Sequence, residues 1–192
     1  ATLRVERLCL GRGARREGKR SAREGMGTSR WPGGEAYDAR VHIPIRREDP
    51  DPAAVASILD DLPESASMPR RTEDYLAAAE HMVTYLATTP EGESVGVLLL
   101  EPHFRESVEV YVMAVRKGYL RQGIGRRLLA VVESDARAFG ARLVVVKTIG
   151  PSDPNPRAAA TRAFYHDVGF LPVEEFADMW DGRPALMMIK TL

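Results

Sequence analysis

Two glycines flanked by arginines mark the segment of this 192-residue chain with the clearest chemical potential. Residues 121–126 read RQGIGR and lie between an apolar stretch and an amphipathic one, so we expect a buried strand to turn into a helix there. Glycines let successive backbone N–H groups turn outward, and a helix N-terminus adds about half a positive charge. The arginines add full charges, so the segment predicts a site for an anion, with a pyrophosphate as the expected ligand.

Other phosphate-binding loops fit this segment less well. A Walker loop needs a Lys and then a Ser or Thr after its last glycine, and neither follows Gly125. A dinucleotide-binding fold needs GxGxxG at the start of a parallel βαβ unit, and only the first two of those glycines are present. The remaining alternative is a tight strand-to-helix turn that binds nothing.

A second motif lies downstream, where residues 163–170 read AFYHDVGF. The two motifs, with the predicted helix, apolar strand and loop between them, resemble the GCN5-related N-acetyltransferase (GNAT) superfamily over residues 41–192. Its patterns are [QR]-x-x-G-x-[GA] for the turn and F-Y-x-x-x-G-F for the second motif. Leu120 departs from the [QR] position, and Ala158 stands where the superfamily often has Asn. Nearby Asn155 is then the alternative amide.

The resemblance implies how acetyl-CoA would be held. The backbone of Val115 would bond to the pantetheine arm, the N–H of Met113 would face the thioester oxygen, and residues 121–126 would hold the pyrophosphate. The predicted acetyl-CoA contacts are Met113, Ala114, Val115, Arg121, Gln122, Gly123, Ile124, Gly125, Arg126 and Asn155.

The resemblance also implies a general acid. Tyr165 stands where the superfamily protonates the departing thiolate, and the alternative is a core tyrosine whose hydroxyl is satisfied elsewhere. No nucleophile is placed for a covalent acyl-enzyme, so direct attack by an amine within a ternary complex is the simpler mechanism.

Glu109 is the candidate general base for the acceptor amine. It interrupts an otherwise apolar strand, where partial desolvation would make a carboxylate a better base. Period-two alternation predicts that Glu109, Tyr111 and Met113 share one face. A glutamate facing solvent is the alternative, and a chain of water molecules could take the proton instead.

Hydrophobic periodicity and turn residues predict the elements that position these groups. Strands are expected at 40–46, 81–87, 94–100, 107–115, 142–149, 171–179 and 185–190. Helices are expected after a start signal at 49–52, with apolar positions from 55 to 62, and at 72–79, 124–139 and 157–167. This order predicts a mixed α/β fold with helices on both faces of the sheet. The resemblance implies a mostly antiparallel sheet of about seven strands with about four helices.

The acceptor is poorly specified by the sequence. The resemblance places its pocket between the first two helices and the last hairpin, which nominates Tyr75, Tyr85 and Trp180 as wall residues. The acceptor could be a small-molecule amine, a peptide N-terminus or a lysine, and a homodimer is compatible with the family. A non-catalytic acyl-CoA-binding or sensing module is the alternative function.

The first forty residues differ in composition from the rest. They hold ten Lys and Arg against five acidic residues, although the whole chain has 27 of each kind. Their Gly, Arg and Ser leave little to bury, so we predict a disordered tail at 1–40 and a folded domain at 41–192. A nucleic-acid arm is the alternative, but the acids are interleaved and no aromatic stacking platform accompanies the basic residues, so no nucleic-acid partner is expected. Met26 is an alternative start of the chain.

Several classes of protein are excluded or disfavoured by composition. A single cysteine, Cys9, excludes a disulfide framework and a cysteine-based zinc site. The histidines His42, His81, His103 and His166 are not at metal-ligand spacings, so no metal is expected. No apolar run approaches the ~20 residues that span a bilayer, and none near the start reads as a signal peptide, so a cytoplasmic protein without a membrane partner is expected.

Overall fold

The computed structural model describes residues 43–62, 69–180 and 182–192, with seven strands and four α-helices among them. The predicted tail at 1–40, with Cys9 and Met26, lies outside the described residues. The elements in chain order are β1 (Ile45–Glu48), α1 (Pro52–Leu59), α2 (Pro69–Ala79), β2 (Val83–Thr88), β3 (Ser94–Phe104), β4 (Ser107–Val115), α3 (Ile124–Ala138), β5 (Leu143–Ile149), α4 (Pro156–Asp167), β6 (Leu171–Trp180) and β7 (Arg183–Thr191).

The strands form one sheet in the order β1-β2-β3-β4-β5-β7-β6. Neighbouring strands are antiparallel except β4 and β5, which are parallel. Parallel strands need a crossover connection, and α3 supplies it between these two. The structure confirms the predicted mixed, mostly antiparallel sheet of seven strands with four helices.

Each face of the sheet is covered by a separate hydrophobic core. On one face α3 and α4 contribute Leu128 and Tyr165 to a cluster that also contains Val110 from β4. On the other face α1 and α2 contribute Ile58 and Ala79 to a second cluster. The chain therefore forms three layers, with the sheet in the middle. No helix in the described ranges is long and apolar enough to cross a membrane.

The parallel pair at the centre of the sheet separates part-way along its length. Pairing between β4 and β5 ends at Val110 and Val146, although the strands continue to Val115 and Ile149. Beyond that point the two strands diverge and leave a gap inside the sheet.

A β-bulge in β4 lies at the point of divergence. Leu99 pairs with Val112 and Leu100 with Val110, which leaves Tyr111 as the extra residue. Val110 therefore packs in the α3–α4 core and Val112 in the α1–α2 core. Tyr111 packs against the α1–α2 core, but Met113 packs partly against the α3–α4 core, so the predicted face shared with Glu109 and Tyr111 is wrong for Met113: the extra residue shifts the alternation by one.

Most predicted boundaries agree with the structure within two residues. The first strand lies later than predicted, at Ile45–Glu48 instead of 40–46. The first helix ends earlier than predicted, at Leu59, and α2 begins three residues earlier, at Pro69. Proline favours the first turn of a helix because its missing N–H has no intrahelical partner there. β3 continues past its predicted end to Phe104, in register with β4.

Gly96 on β3 allows α3 to pack closely on the sheet. A Cβ at this position would lie 2.9 Å from Cγ2 of Ile124. Gly96→Ala should lower the free energy of unfolding by roughly 1–3 kcal/mol, because the helix must shift or strain to admit the methyl group. Urea denaturation measures the change. Gly118→Ala is the matched control, since nothing lies within 4 Å of its added Cβ. Equal stability of the two variants would contradict this packing account.

Candidate active site

A cleft fills the gap between the diverging strands β4 and β5. Its walls include Tyr111 and Met113 from β4 and Lys147 from β5, with Tyr75 from α2 and Tyr165 from α4. Because α2 and α4 cover opposite faces of the sheet, the cleft reaches both faces. Two molecules could therefore enter it from opposite sides and meet between the strands.

Part of the β4 backbone faces the cleft without a strand partner. The N–H of Arg116 donates to the carbonyl of Val95 on β3, at 2.9 Å. Backbone groups alternate in direction along an antiparallel strand, so Met113 and Val115 direct their N–H and C=O groups away from β3. The paired register with β5 has already ended there. These backbone groups are available to a bound molecule.

The glycine turn leads directly into α3. Gly123 is the N-cap residue with φ of 77°, and Arg121 also has a positive φ, of 63°. No side chain caps the helix, and the first helical bond runs from the N–H of Arg127 to the carbonyl of Gly123, at 3.1 Å. The first-turn amides of residues 124–126 thus have no intrahelical acceptor. Residues 121–123 are exposed, so this positive turn is open to an anion.

Gly125 brings the two sequence motifs together. A Cβ on Gly125 would lie 3.3 Å from Cζ of Phe164, in the second motif, and 3.9 Å from Cε of Met113. The guanidinium of Arg126 extends to the end of α4, where its Nη2 lies 3.7 Å from Oδ2 of Asp167. The turn, the β4 edge and α4 are therefore in contact. The side chain of Gln122 donates to the carbonyl of Gly118, at 3.2 Å.

Tyr165 is held by the core and also lines the cleft. Its side chain is only 5% exposed, and its ring makes edge contacts with Phe164 and Phe170, each with centroids 5.4 Å apart. These contacts fix the ring orientation. A tyrosine fixed in this way presents its hydroxyl with little loss of side-chain entropy on binding.

Glu109 is buried and does not line the cleft. It is 4% exposed, so the alternative of a solvent-facing glutamate is wrong. Its Oε2 accepts a hydrogen bond from Nζ of Lys147, at 2.7 Å, and lies 2.7 Å from Nε2 of His103. Lys147 does line the cleft, so Glu109 is connected to it through this ammonium group.

His103 lies closer to carboxylates than its sequence spacing indicates. Its ring nitrogen and the carboxylate oxygens of Glu101 and Glu109 all lie within 4.8 Å of one another. The expectation that no histidine has metal-ligand spacing did not account for strand pairing, which places Glu101 opposite Glu109. Lys147 already supplies a positive charge to the same Glu109 oxygen.

The predicted acceptor wall is only partly found. Tyr75 lines the cleft, with its ring centroid 5.7 Å from that of Tyr111. Tyr85 is wrong as a wall residue: it is 1% exposed and its hydroxyl donates to Oδ2 of Asp135 on α3, at 3.0 Å. Burial raises the pKa of Tyr85, and the bond to Asp135 raises it further. Trp180, at the end of β6, is not among the described residues that line the cleft.

Asn155 caps α4 and also lines the cleft. Its Oδ1 accepts from the N–H of Arg157, at 3.0 Å, as the N-cap residue of the helix. Ala158, at the position where an Asn is common in the superfamily, lines the cleft as well. Asn155 therefore supplies an amide on the same wall, one turn earlier.

Comparison with known proteins agrees with this geometry. The acetyltransferase (GNAT) family matches residues 48–170, which is more than half of the chain. The chain belongs to the GNAT acetyltransferase family. A GNAT-family protein from Desulfovibrio desulfuricans is 25% identical, with a TM-score of 0.61, and the match covers 78% of this chain and 98% of that one.

Two further solved structures share the GNAT fold at lower identity. A GNAT family acetyltransferase from Elizabethkingia anophelis, with acetyl-CoA bound, is 21% identical with a TM-score of 0.58, covering 78% of this chain and 98% of that one. The ribosomal-protein-S18-alanine N-acetyltransferase of Escherichia coli is 19% identical with a TM-score of 0.62, covering 77% and 92%.

Three charged residues of this GNAT cleft were missed from the sequence. Lys147 lies in a strand that reads as nearly continuously apolar, Arg157 lies in the first turn of α4, and Arg183 begins the last strand. All three line the cleft. Arg183 donates from Nε and Nη2 to Oδ2 of Asp153, at 3.1 and 2.7 Å, and so connects the loop before α4 to β7. No local pattern in the sequence indicates this contact, because it joins residues thirty positions apart.

The Asp153–Arg183 pair predicts a pH effect. The Arg183 hydrogen bonds, and then the N–H of Asn155, hold the pKa of Asp153 below its usual range. A lowered folded-state pKa stabilises the protein above the unfolded-state pKa, and this contribution is lost as pH falls through the folded-state value. Carboxyl NMR titration should show a low midpoint for Asp153 that rises in Arg183→Gln. Arg46→Gln, at an exposed site on β1, should leave it unchanged; an ordinary midpoint in the unmodified protein would contradict the pairing.

Proposed function

We propose that this GNAT protein transfers an acetyl group from acetyl-CoA to a primary amine, by direct attack within a ternary complex. The observation that carries the proposal is the cleft between β4 and β5, which reaches both faces of the sheet and adjoins the open glycine turn. The fold shared with the acetyl-CoA-bound protein from Elizabethkingia anophelis supports the choice of donor.

The donor would extend from the glycine turn into the cleft. The amides of residues 124–126 and the guanidinium groups of Arg121 and Arg126 would hold the pyrophosphate. The outward backbone groups of Met113 and Val115 would hold the pantetheine arm as an added strand would, and Asn155 would contact it from the opposite wall. The proximity of Gly125 to Met113 supports this path, because it makes the turn and the cleft continuous.

The transfer step assigns one task to each group. The amine nitrogen forms a bond to the thioester carbonyl carbon while the carbon–sulfur bond breaks, and the N–H of Met113 stabilises the charge on the carbonyl oxygen. The Tyr165 hydroxyl gives its proton to the departing sulfur. The proton lost by the amine returns through solvent to Tyr165, so the products are an amide and the thiol of CoA.

The ammonium form of the acceptor must lose a proton before it attacks. Glu109 is the proposed base, but it does not line the cleft and its Oε2 already accepts from Lys147. This geometry favours transfer of the ammonium proton to a water molecule in the cleft, and from that water to Glu109 and His103. His103 is about one-third exposed, so it can release the proton to solvent.

The alternative function is an acyl-CoA-binding or sensing module. Leu120 favours it, because an apolar side chain replaces a donor at the glycine turn and is half exposed there. Such a module would bind acetyl-CoA and release no thiol with any amine. A thiol-release screen over amine classes therefore separates the two functions.

Tyr165→Phe tests the general acid. It should lower kcat by roughly 100-fold, because proton transfer by a placed side chain contributes on that order, while acetyl-CoA affinity stays within about threefold. A thiol-release assay measures kcat, and calorimetry measures the affinity for acetyl-CoA. Tyr85→Phe is the matched control, since it also removes a buried tyrosine hydroxyl, from a residue that is not among the described residues lining the cleft. Unchanged kcat in Tyr165→Phe would remove Tyr165 from the mechanism.

Gly123→Ala tests the glycine turn. A side chain at φ of 77° is strained by about 1–2 kcal/mol, so the free turn of this variant should relax to another conformation, and restoring the binding conformation should weaken acetyl-CoA binding roughly tenfold in calorimetry. Gly92→Ala is the control, because Gly92 also has positive φ, of 92°, and open space around it, but lies in the turn between β2 and β3. If both variants bound acetyl-CoA as tightly as the unmodified protein, the turn would not be the donor site.

A further inference from the structure

We infer that the amine acceptor carries a carboxylate, which Lys147 and Arg183 bind on the side of the cleft that faces α1 and α2. The inference rests on the proposed function, because it names the class of acceptor that the same cleft would take. It makes these two residues determinants of specificity.

Strand register places both cations on the same face of the sheet. Val144 and Val146 of β5 pack in the α3–α4 core. Side chains alternate between faces along a strand, so Lys147, the residue after Val146, points to the α1–α2 face. Lys147 pairs with Met187 of β7, and alternation along β7 puts Arg183 on that same face. Tyr165 and the glycine turn belong to α4 and α3 on the opposite face. The two cations therefore lie on the acceptor side.

Both cations keep donors that are directed at no described acceptor. Lys147 has three N–H donors and gives one to Glu109, while Arg183 has five and gives two to Asp153. Each side chain is 30% exposed. These bonds to described residues engage three of the eight side-chain N–H donors of the two cations.

The charge of the cleft wall is one-sided. Lys147, Arg183 and a third cation, Arg157, line the cleft, and none of its described lining residues is acidic. Glu109 and Asp153 hold their partners from outside that lining. A cation fixed from behind by a carboxylate is ordered before a ligand arrives, so it loses little side-chain entropy on binding an anion.

A carboxylate fits these donors. The guanidinium fork of Arg183 matches a carboxylate in geometry, and Lys147 adds a second charge beside it. The rings of Tyr75 and Tyr111 border the same side and reduce local contact with water, which strengthens charge pairing. An amine that carries a carboxylate, such as a free amino acid, has one group to bind the two cations and another to accept the acetyl group.

The carboxylate could instead belong to the acyl group of the donor. We assign it to the acceptor because Lys147 and Arg183 lie on the face opposite α3, whose first turn is the proposed pyrophosphate site. Comparing succinyl-CoA with acetyl-CoA distinguishes the two sources. A preference for succinyl-CoA with uncharged amines as acceptors would overturn the assignment.

The test compares amino acids with their carboxamides as acceptors, in a thiol-release assay on the full chain with acetyl-CoA. The expected result is a kcat/KM at least about tenfold higher for the best amino acid than for its carboxamide, because a hydrogen bond to a charged group is worth that much. Equal or reversed values would overturn the inference and leave the acetyltransferase function intact.

Two variants identify the residues responsible. Arg183→Gln and Lys147→Gln should each raise KM for the amino acid about tenfold or more and change KM for the carboxamide less than about threefold. Arg183→Lys should recover part of the loss, and Arg46→Gln on β1 should change neither value. Equal effects on both acceptors would indicate a structural role only and overturn the assignment of these residues.

A binding measurement separates the two levels of the proposal. The melting temperature of the CoA-loaded protein is measured with each N-acetylamino acid and with its carboxamide. A larger rise with the carboxylate supports the site even if no amine releases thiol, a result that would overturn the proposed transfer alone. Equal rises, together with the absence of an amino-acid preference in turnover, would overturn the carboxylate site.

Discussion

The separation of β4 from β5 is the constraint on which the rest of this protein depends. A parallel pair at the centre of a sheet normally satisfies its backbone groups along its whole length, yet pairing here ends at Val110 and Val146. The bulge at Tyr111 adds a residue at that point and bends the strand. The gap exposes backbone groups of Met113 and Val115 and opens a passage between the two faces, so one irregularity provides both a binding edge and a site for chemistry.

Close packing fixes the relative positions of the elements that form the cleft. Gly125 lets the first turn of α3 approach Phe164 of α4, and Gly96 lets the same turn approach β3. A Cβ at Gly96 would lie 2.9 Å from Ile124 and force a shift, and one at Gly125 would make a tight contact of 3.3 Å with Phe164. The glycine turn is therefore fixed relative to β4 and α4 by sterics, while its own amides stay open at the surface.

On the side of the cleft that faces α1 and α2, cations at the wall pair with carboxylates behind them. Buried Glu109 holds Lys147 and contacts His103, and Asp153 holds Arg183, so both of these wall cations have an anion behind them. Burying a lone carboxylate such as Glu109 would be costly, and the paired ammonium offsets that cost. The same pairing leaves Glu109 without a direct path to the cleft, which is why burial alone does not make it a direct base.

The sequence by itself determined the order of elements, the glycine turn into α3 and the family, because periodicity, turn chemistry and short motifs are local properties of the chain. Tertiary structure alone decided which side chains meet. A bulge moved Met113 to the other face, and packing buried Tyr85 against Asp135. Strand pairing brought His103 and Lys147 to Glu109. The fold also brought Arg183 to Asp153 at the cleft. These outcomes depend on strand register and on packing between residues distant in the chain, and no local pattern encodes which distant partner a strand will face.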